Sequence, residues 1–200
     1  MNIINNKDIR GAFFRRYRDT RRYILGTCST AFAYIYAKLL GVLIGKDVRF
    51  FGSITFDRNP QSQIVIGDNC CFISSPLLNR LCNYPSVLNT TSPYGFISIG
   101  DNCGFSSVHI RADIGVKIGN RVTVGANTII YDTDAHPELT GNKPKPIIIE
   151  DDVFIGMDCH ILKGVTIGKG SIIGAGSIVT KDIPAGVIAA GVPCKVIREK

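Results

Sequence analysis

From Ile149 onward the chain repeats itself every six residues. Set out in register, it reads IEDDVF, IGMDCH, ILKGVT, IGKGSI, IGAGSI, VTKDIP, with Ile149, Ile155, Ile161, Ile167, Ile173 and Val179 in the leading place. Four residues after the first five of these come Val153, Cys159, Val165, Ser171 and Ser177, all small or β-branched. A period of six is neither the roughly 3.6-residue period of a helix nor the simple alternation of a sheet strand. It is the spacing of a parallel β-helix, in which short strands form the flat faces of a prism and three hexads close one coil. Each leading aliphatic side chain points inward, the glycine that often follows it suits a tight corner, and the small fifth residue fits beneath the next coil.

The same phase runs upstream as IGNRVT, VGANTI and IYDTDA from Ile118, as IGDNCG from Ile99 and as IGDNCC from Ile66. Cys70, Cys103 and Cys159 all fall at the small inward place, which makes them core residues rather than catalytic thiols. Twice the repeat is interrupted, at residues 74–95 and at 131–146, "YDTDAHPELTGNKPKP". Polar insertions of this length in a solenoid leave from one face or corner and commonly carry the function.

Ahead of the repeat lies a segment of different character. Residues 1–46 hold nine Lys and Arg against two Asp and Glu, whereas residues 47–200 hold fourteen of each, so the net charge of +7 lies entirely in the N-terminal segment. Nucleic-acid binding by the main body therefore has no electrostatic motive. Residues 7–22, "KDIRGAFFRRYRDTRR", read as a basic helix leading into a mostly apolar helical stretch over 23–45. Three placements stay open for it: across a membrane, lying on an anionic membrane surface, or capping the solenoid or packing in an oligomer. Seven cysteines without framework-like spacing, no C-x-x-C pair and no recognisable cleavable signal sequence predict reduced thiols in a cytoplasmic setting. The expected domain organisation is an N-terminal helical segment over 1–46 and a solenoid over 47–200.

The stretch from Val153 to the C-terminus, with "IGAGSIVTKDIP" and "AAGVPCKVIR", together with the "DTDAHP" loop, resembles the galactoside and maltose O-acetyltransferase group of bacterial hexapeptide acyltransferases. The resemblance covers roughly residues 97–200. It implies an all-β fold built on a left-handed parallel β-helix, with the loop at 131–146 extruded as a catalytic arm. It also implies a homotrimer with sites between neighbouring prisms, and acetyl transfer from acetyl-CoA to a small-molecule saccharide. Residue by residue, His136 matches the general base, and the backbone N–H of Met157 matches the donor that stabilises the oxyanion. Phe154, Gly156, Ala175, Thr180, Lys181, Lys195 and Arg198 match positions along the CoA arm and its phosphates. Asp134 is expected to orient His136 and Asp132 to contact the acceptor. Turn chemistry is the alternative for both aspartates.

The base is chemically required, because a sugar hydroxyl attacks a thioester well only when a positioned group takes its proton, and imidazole has the matching pKa. Residues 1–60 do not match the acceptor end of the galactoside and maltose enzymes. With the insertion at 74–95 they look more like acetyltransferases of capsule, O-antigen or exopolysaccharide synthesis, which implies peripheral association with the inner face of a membrane. Three histidines also invite comparison with the metal-binding γ-class carbonic anhydrases, but His109, His136 and His160 lie 27 and 24 residues apart, a spacing unlike that group's ligands, so no metal is expected. His160 is expected at a prism corner. The other readings of the chain are N-acylation of an amino sugar and a non-catalytic β-helix scaffold.

Overall fold

The computed structural model describes residues 9–134, 141 and 143–200, with side chains from residue 14 onward. Among these, one long helix, α1 (Ile9–Leu40), leads into three parallel sheets that form the faces of a prism. The first face stacks Leu43–Ile44, Gln63–Ile66, Phe96–Ile99, Gly115–Ile118, Ile147–Ile149 and Thr166–Ile167. The second stacks Arg49–Phe51, Cys71–Ile73, Gly104–Ser106, Thr123–Val124, Phe154–Ile155, Ile172–Ile173 and Val187–Ala190, and is closed by the antiparallel strand Lys195–Glu199. The third stacks Ile54–Arg58, Ser86–Thr90, His109–Ala112, Ile129–Tyr131, His160–Ile161 and Ile178–Val179.

The register turns the sequence repeat into columns of like residues. Ile66, Ile99, Ile118, Ile149 and Ile167 face one another up the first sheet, and Leu88, Ile110, Ile130, Ile161 and Val179 up the third. On the second sheet Phe50, Phe72 and Phe105 stack nearly parallel, with ring centroids 5.2 and 4.8 Å apart, before Val124, Ile155 and Ile173 continue the column. The fifth-place residues serve the next coil: Cys70, Cys103 and Cys159 are buried, and each thiol donates to a glycine carbonyl above it, of Gly100, Gly119 and Gly174, at 3.1–3.2 Å.

Corners divide their task between two positions. The left-handed backbone falls on the fourth residue of the hexad, on Asn69, Asn102, Asn127, Asp152 and Asp158, side chains that tolerate it through local hydrogen bonds, and on Gly170 and Gly176. The glycine in the second place is there for lack of room: a Cβ on Gly156 would stand 2.5 Å from the backbone nitrogen of Ala175. The structure thus moves the conformational argument two residues along from where the sequence suggests it.

In the N-terminal half one expectation changes and one of the placements left open for the helix is filled. The interruption over 74–95 contains a full strand, Ser86–Thr90, so the excursion proper is residues 74–85. Ser86 and Thr90 occupy inward places usually held by aliphatics, and their hydroxyls bond to Ser74 and Ser62, which hides the strand from an apolar pattern. The helix α1 caps the first coil: Ala33 and Ala37 are buried, and the hydroxyls of Tyr34 and Tyr36 donate to the carbonyls of Gly45 and Phe56. Its remaining surface leaves Phe14, Tyr17, Ile24, Phe32, Ile35 and Leu39 exposed. No helix among the described residues is long and apolar enough to cross a membrane.

Candidate active site

The loop that follows Tyr131 leaves the prism at the edge between the third and first sheets. Asp132 turns inward there and is 0% exposed. Its carboxylate accepts the backbone N–H groups of Asp113, Ile114 and Gly115 in the coil before it, each at 2.7 Å. Burial pushes this carboxyl up while the three N–H donors work to hold it down. Both oxygens of Asp132 are committed to main-chain N–H groups of the preceding coil, a tie between coils rather than the local turn bond that is the alternative to an acceptor contact. The return strand is tied at the same point, with the Lys145 N–H donating to the Asp132 carbonyl at 2.9 Å and the Gly164 N–H to the Lys145 carbonyl at 3.0 Å.

His136 lies outside the described residues, and Asp134 is the last one described before it. The Asp134 carboxylate accepts from the Lys163 ammonium at 2.6 Å, with the two side chains 32% and 18% exposed. Lys163 was not singled out by the sequence. The signal that finds it is coil register, since Ile130 stands opposite Ile161 and the same offset carries Asp132 to Lys163.

The other expected residues fall on different parts of the prism. Gly156, Met157 and Ala175 share the edge between the second and third sheets, where the Gly176 N–H donates to the Met157 carbonyl at 2.8 Å. Among the hydrogen bonds of the described residues, none is donated by the Met157 N–H. Phe154, 47% exposed, stands on the second face in line with Ile172, Ile188 and Arg198. That row is an apolar wall ending in a cation, and Lys195 is exposed on the same terminal strand. Thr180 and Lys181 stand exposed at the loop edge, two coils beyond its root. One prism thus holds the loop root and Met157 at opposite edges of the third sheet, about 15 Å apart by strand rise.

Between those edges runs the outward surface of the third sheet. His109 and Tyr131 meet there edge to face, with the Tyr131 hydroxyl 3.0 Å from His109 Nδ1. Burial, and then the charge of Arg111, lower the His109 pKa, and burial raises that of Tyr131. His160 is not at a corner: it starts a strand of this face and is separated from His109 by the strand of Ile129. Among the described residues no group of three or more His, Cys, Asp or Glu could hold a metal ion.

With the coils and edges located, comparison with known proteins gives a consistent result. The bacterial transferase hexapeptide family (six repeats) matches residues 146–181, and the hexapeptide repeat of succinyl-transferase matches residues 96–132. The chain carries the hexapeptide repeat of bacterial transferases. Its prism is a left-handed parallel β-helix preceded by an N-terminal helix. A 2,3,4,5-tetrahydropyridine-2,6-dicarboxylate N-acetyltransferase of Staphylococcus aureus (strain Newman) is 47% identical over 80 residues, 40% of this chain and 31% of the relative. The match therefore spans about a third of the length of that curated protein. Among solved structures, AntD, an N-acyltransferase from Bacillus cereus in complex with dTDP-4-amino-4,6-dideoxyglucose and coenzyme A, superposes with a TM-score of 0.66 at 22% identity. The superposition covers 84% of this chain and 89% of that one. The hexapeptide-repeat acetyltransferase VCA0836 from Vibrio cholerae gives 0.53 at 22% identity, covering 96% and 94%. At such identities the likeness establishes the fold.

Proposed function

We propose that the chain is an acyltransferase that moves an acetyl group from acetyl-CoA to a hydroxyl of a small-molecule saccharide, with His136 as general base. The observation that carries this reading is the root of the segment that contains His136, pinned through Asp132 at one edge of a hexapeptide prism, with a main-chain donor at Met157 on the opposite edge that has no partner among the described residues. Acetyl-CoA supplies the acetyl group as a thioester. The row Phe154, Ile172, Ile188 and Arg198 fits its apolar arm and phosphates, with Gly156, Ala175, Thr180, Lys181 and Lys195 beside it. His136 takes the proton of the attacking hydroxyl, and the Met157 N–H stabilises the negative charge that develops on the acyl oxygen. Asp134, held by Lys163, fixes the start of the arm that presents the imidazole.

The resemblance to the hexapeptide acyltransferases implies a homotrimer with sites between neighbouring prisms, and the separation of the loop root from Met157 by the width of a face suits a site to which two copies contribute. The basic, apolar-striped α1 rests on the anionic inner surface of a membrane, and surface-polysaccharide synthesis is the setting that suits both features. A second reading, transfer to the amine of an amino sugar, is favoured by the names of the similar proteins, an N-acetyltransferase and an N-acyltransferase.

The test is release of free CoA from acetyl-CoA across a panel of neutral sugars, amino sugars and nucleotide sugars. His136→Ala should abolish turnover while leaving assembly and acetyl-CoA binding intact; unchanged turnover removes His136 as the base. No turnover with any acceptor, combined with no acetyl-CoA binding by calorimetry, leaves the scaffold reading instead.

A further inference from the structure

The outward surface of the third sheet, which runs from the root of the loop to the Met157 edge, bears a cation that is unpaired among the described residues. Arg111 stands opposite Tyr131 on one side and Asn89 on the other. Its Nε is buried without a hydrogen-bond partner, and among the described residues it enters no ion pair. Two other arginines of the prism are employed: Arg58 donates to the carbonyls of Leu40 and Ser62, and Arg121 is gripped by Asp152. The carboxylates around Arg111 do not pair with it. Asp57 accepts from Asn89 at 2.6 Å, Asp132 is spent on three N–H groups, and Asp113, two residues along, keeps one buried oxygen unpartnered.

The His109–Tyr131 pair adds a further donor in either tautomer. The Tyr131 hydroxyl lies 3.0 Å from Nδ1 and 3.3 Å from Nε2, so whichever ring nitrogen it bonds, the pair keeps one N–H or O–H beyond the hydrogen bond between them. The Coulomb effect of Arg111 on both rings places its charge beside them. Fixed positive charge, a planar fork of N–H groups and an adjacent neutral donor make a receptor for the paired oxygens of an anion.

We infer that Arg111, with Tyr131 and His109, recognises an anionic group carried by the acceptor, a carboxylate or a phosphate on the sugar. The inference rests on the acyl-transfer reading for its place in a reaction, but not for its test. Glucuronate, glucose 1-phosphate and glucose are titrated calorimetrically into the full-length protein without acyl donor. At least one anionic probe should bind about 10-fold tighter than glucose, as hydrogen bonds to a charged group require, and the probe that does so tells carboxylate from phosphate. Arg111→Gln should erase the preference. Arg111→Lys, which keeps the charge and loses the fork, should retain part of it, and acetyl-CoA binding should be unchanged in both. If Arg111→Gln does not fold, the wild type and Arg111→Lys still give the comparison. The inference is overturned if neither anionic probe outbinds glucose, or if a folded Arg111→Gln keeps the full preference. Lack of transfer alongside intact anion binding would count against the acyltransferase reading alone.

Discussion

Two glycines make a matched pair in which the same substitution should act with opposite sign. At Gly156 an added Cβ would stand 2.5 Å from the Ala175 nitrogen and 2.7 Å from its Cα, both backbone atoms of the adjoining coil. Neither can rotate away, so the two coils must part by roughly 1 Å against a strand spacing of about 4.8 Å. Overpacking of this kind costs about 1–3 kcal/mol, and the narrower unfolded ensemble of alanine returns no more than about 1 kcal/mol. At Gly104 the added Cβ meets nothing within 4 Å. There the unfolded-state effect acts alone and should stabilise by about 0.4–1 kcal/mol. For a chain of this size 1 kcal/mol moves the melting temperature by roughly 2–4 °C. Gly156→Ala should therefore melt several degrees below the parent and Gly104→Ala at or slightly above it, read by calorimetry at one protein concentration. Two melts shifted downward by the same amount would refute the account of the corners.

Further outcomes follow from burial and charge. Of the seven cysteines, Cys28 is exposed while Cys70, Cys82, Cys103, Cys159 and Cys194 are buried. Ellman's reagent should therefore titrate one thiol rapidly in the native protein and all seven after denaturation; several fast thiols would contradict the columns of inward cysteines. Burial also raises the Cys159 and Cys71 thiols, which further slows their reaction at pH 8. The full-length protein should sediment with vesicles containing phosphatidylglycerol and not with pure phosphatidylcholine. Replacing Arg15 and Arg16 with glutamine should weaken that binding roughly 30-fold, at about 1 kcal/mol for each arginine. Equal binding to both vesicles would remove the anionic surface as partner of α1.

The fold was legible where leading aliphatics and fifth-place small residues repeat without exception, from Ile149 to Val179, because that pattern has one geometric solution. It faded where polar residues point inward. Ser86 and Thr90 complete a strand by bonding to other hydroxyls, and a search for apolar periods cannot see that exchange. The placement of α1 rested on tyrosine hydroxyls reaching carbonyls of the first coil, contacts that no local window contains. At the site, the loop and its aspartates were visible as a break in the sixfold step. Lys163 and the trio of His109, Arg111 and Tyr131 were not, since they become neighbours only after coils close and residues about twenty to thirty apart come into register.

The mouth of the loop has a consequence for how such a chain can change. The Asp132 side chain grips the turn at 113–115, and its carbonyl receives the Lys145 N–H, so the coil is closed across the opening before any residue of the arm is counted. A staple at the base makes the arm a cassette. Residues 133–144 can be shortened, lengthened or exchanged at the modest entropic cost of a loop whose ends are already joined, and the stack above and below keeps its register. Specificity and scaffold are in that sense inherited separately, and grafting the arm of another hexapeptide chain between Asp132 and Lys145 is the natural way to move a reactive group without disturbing the prism.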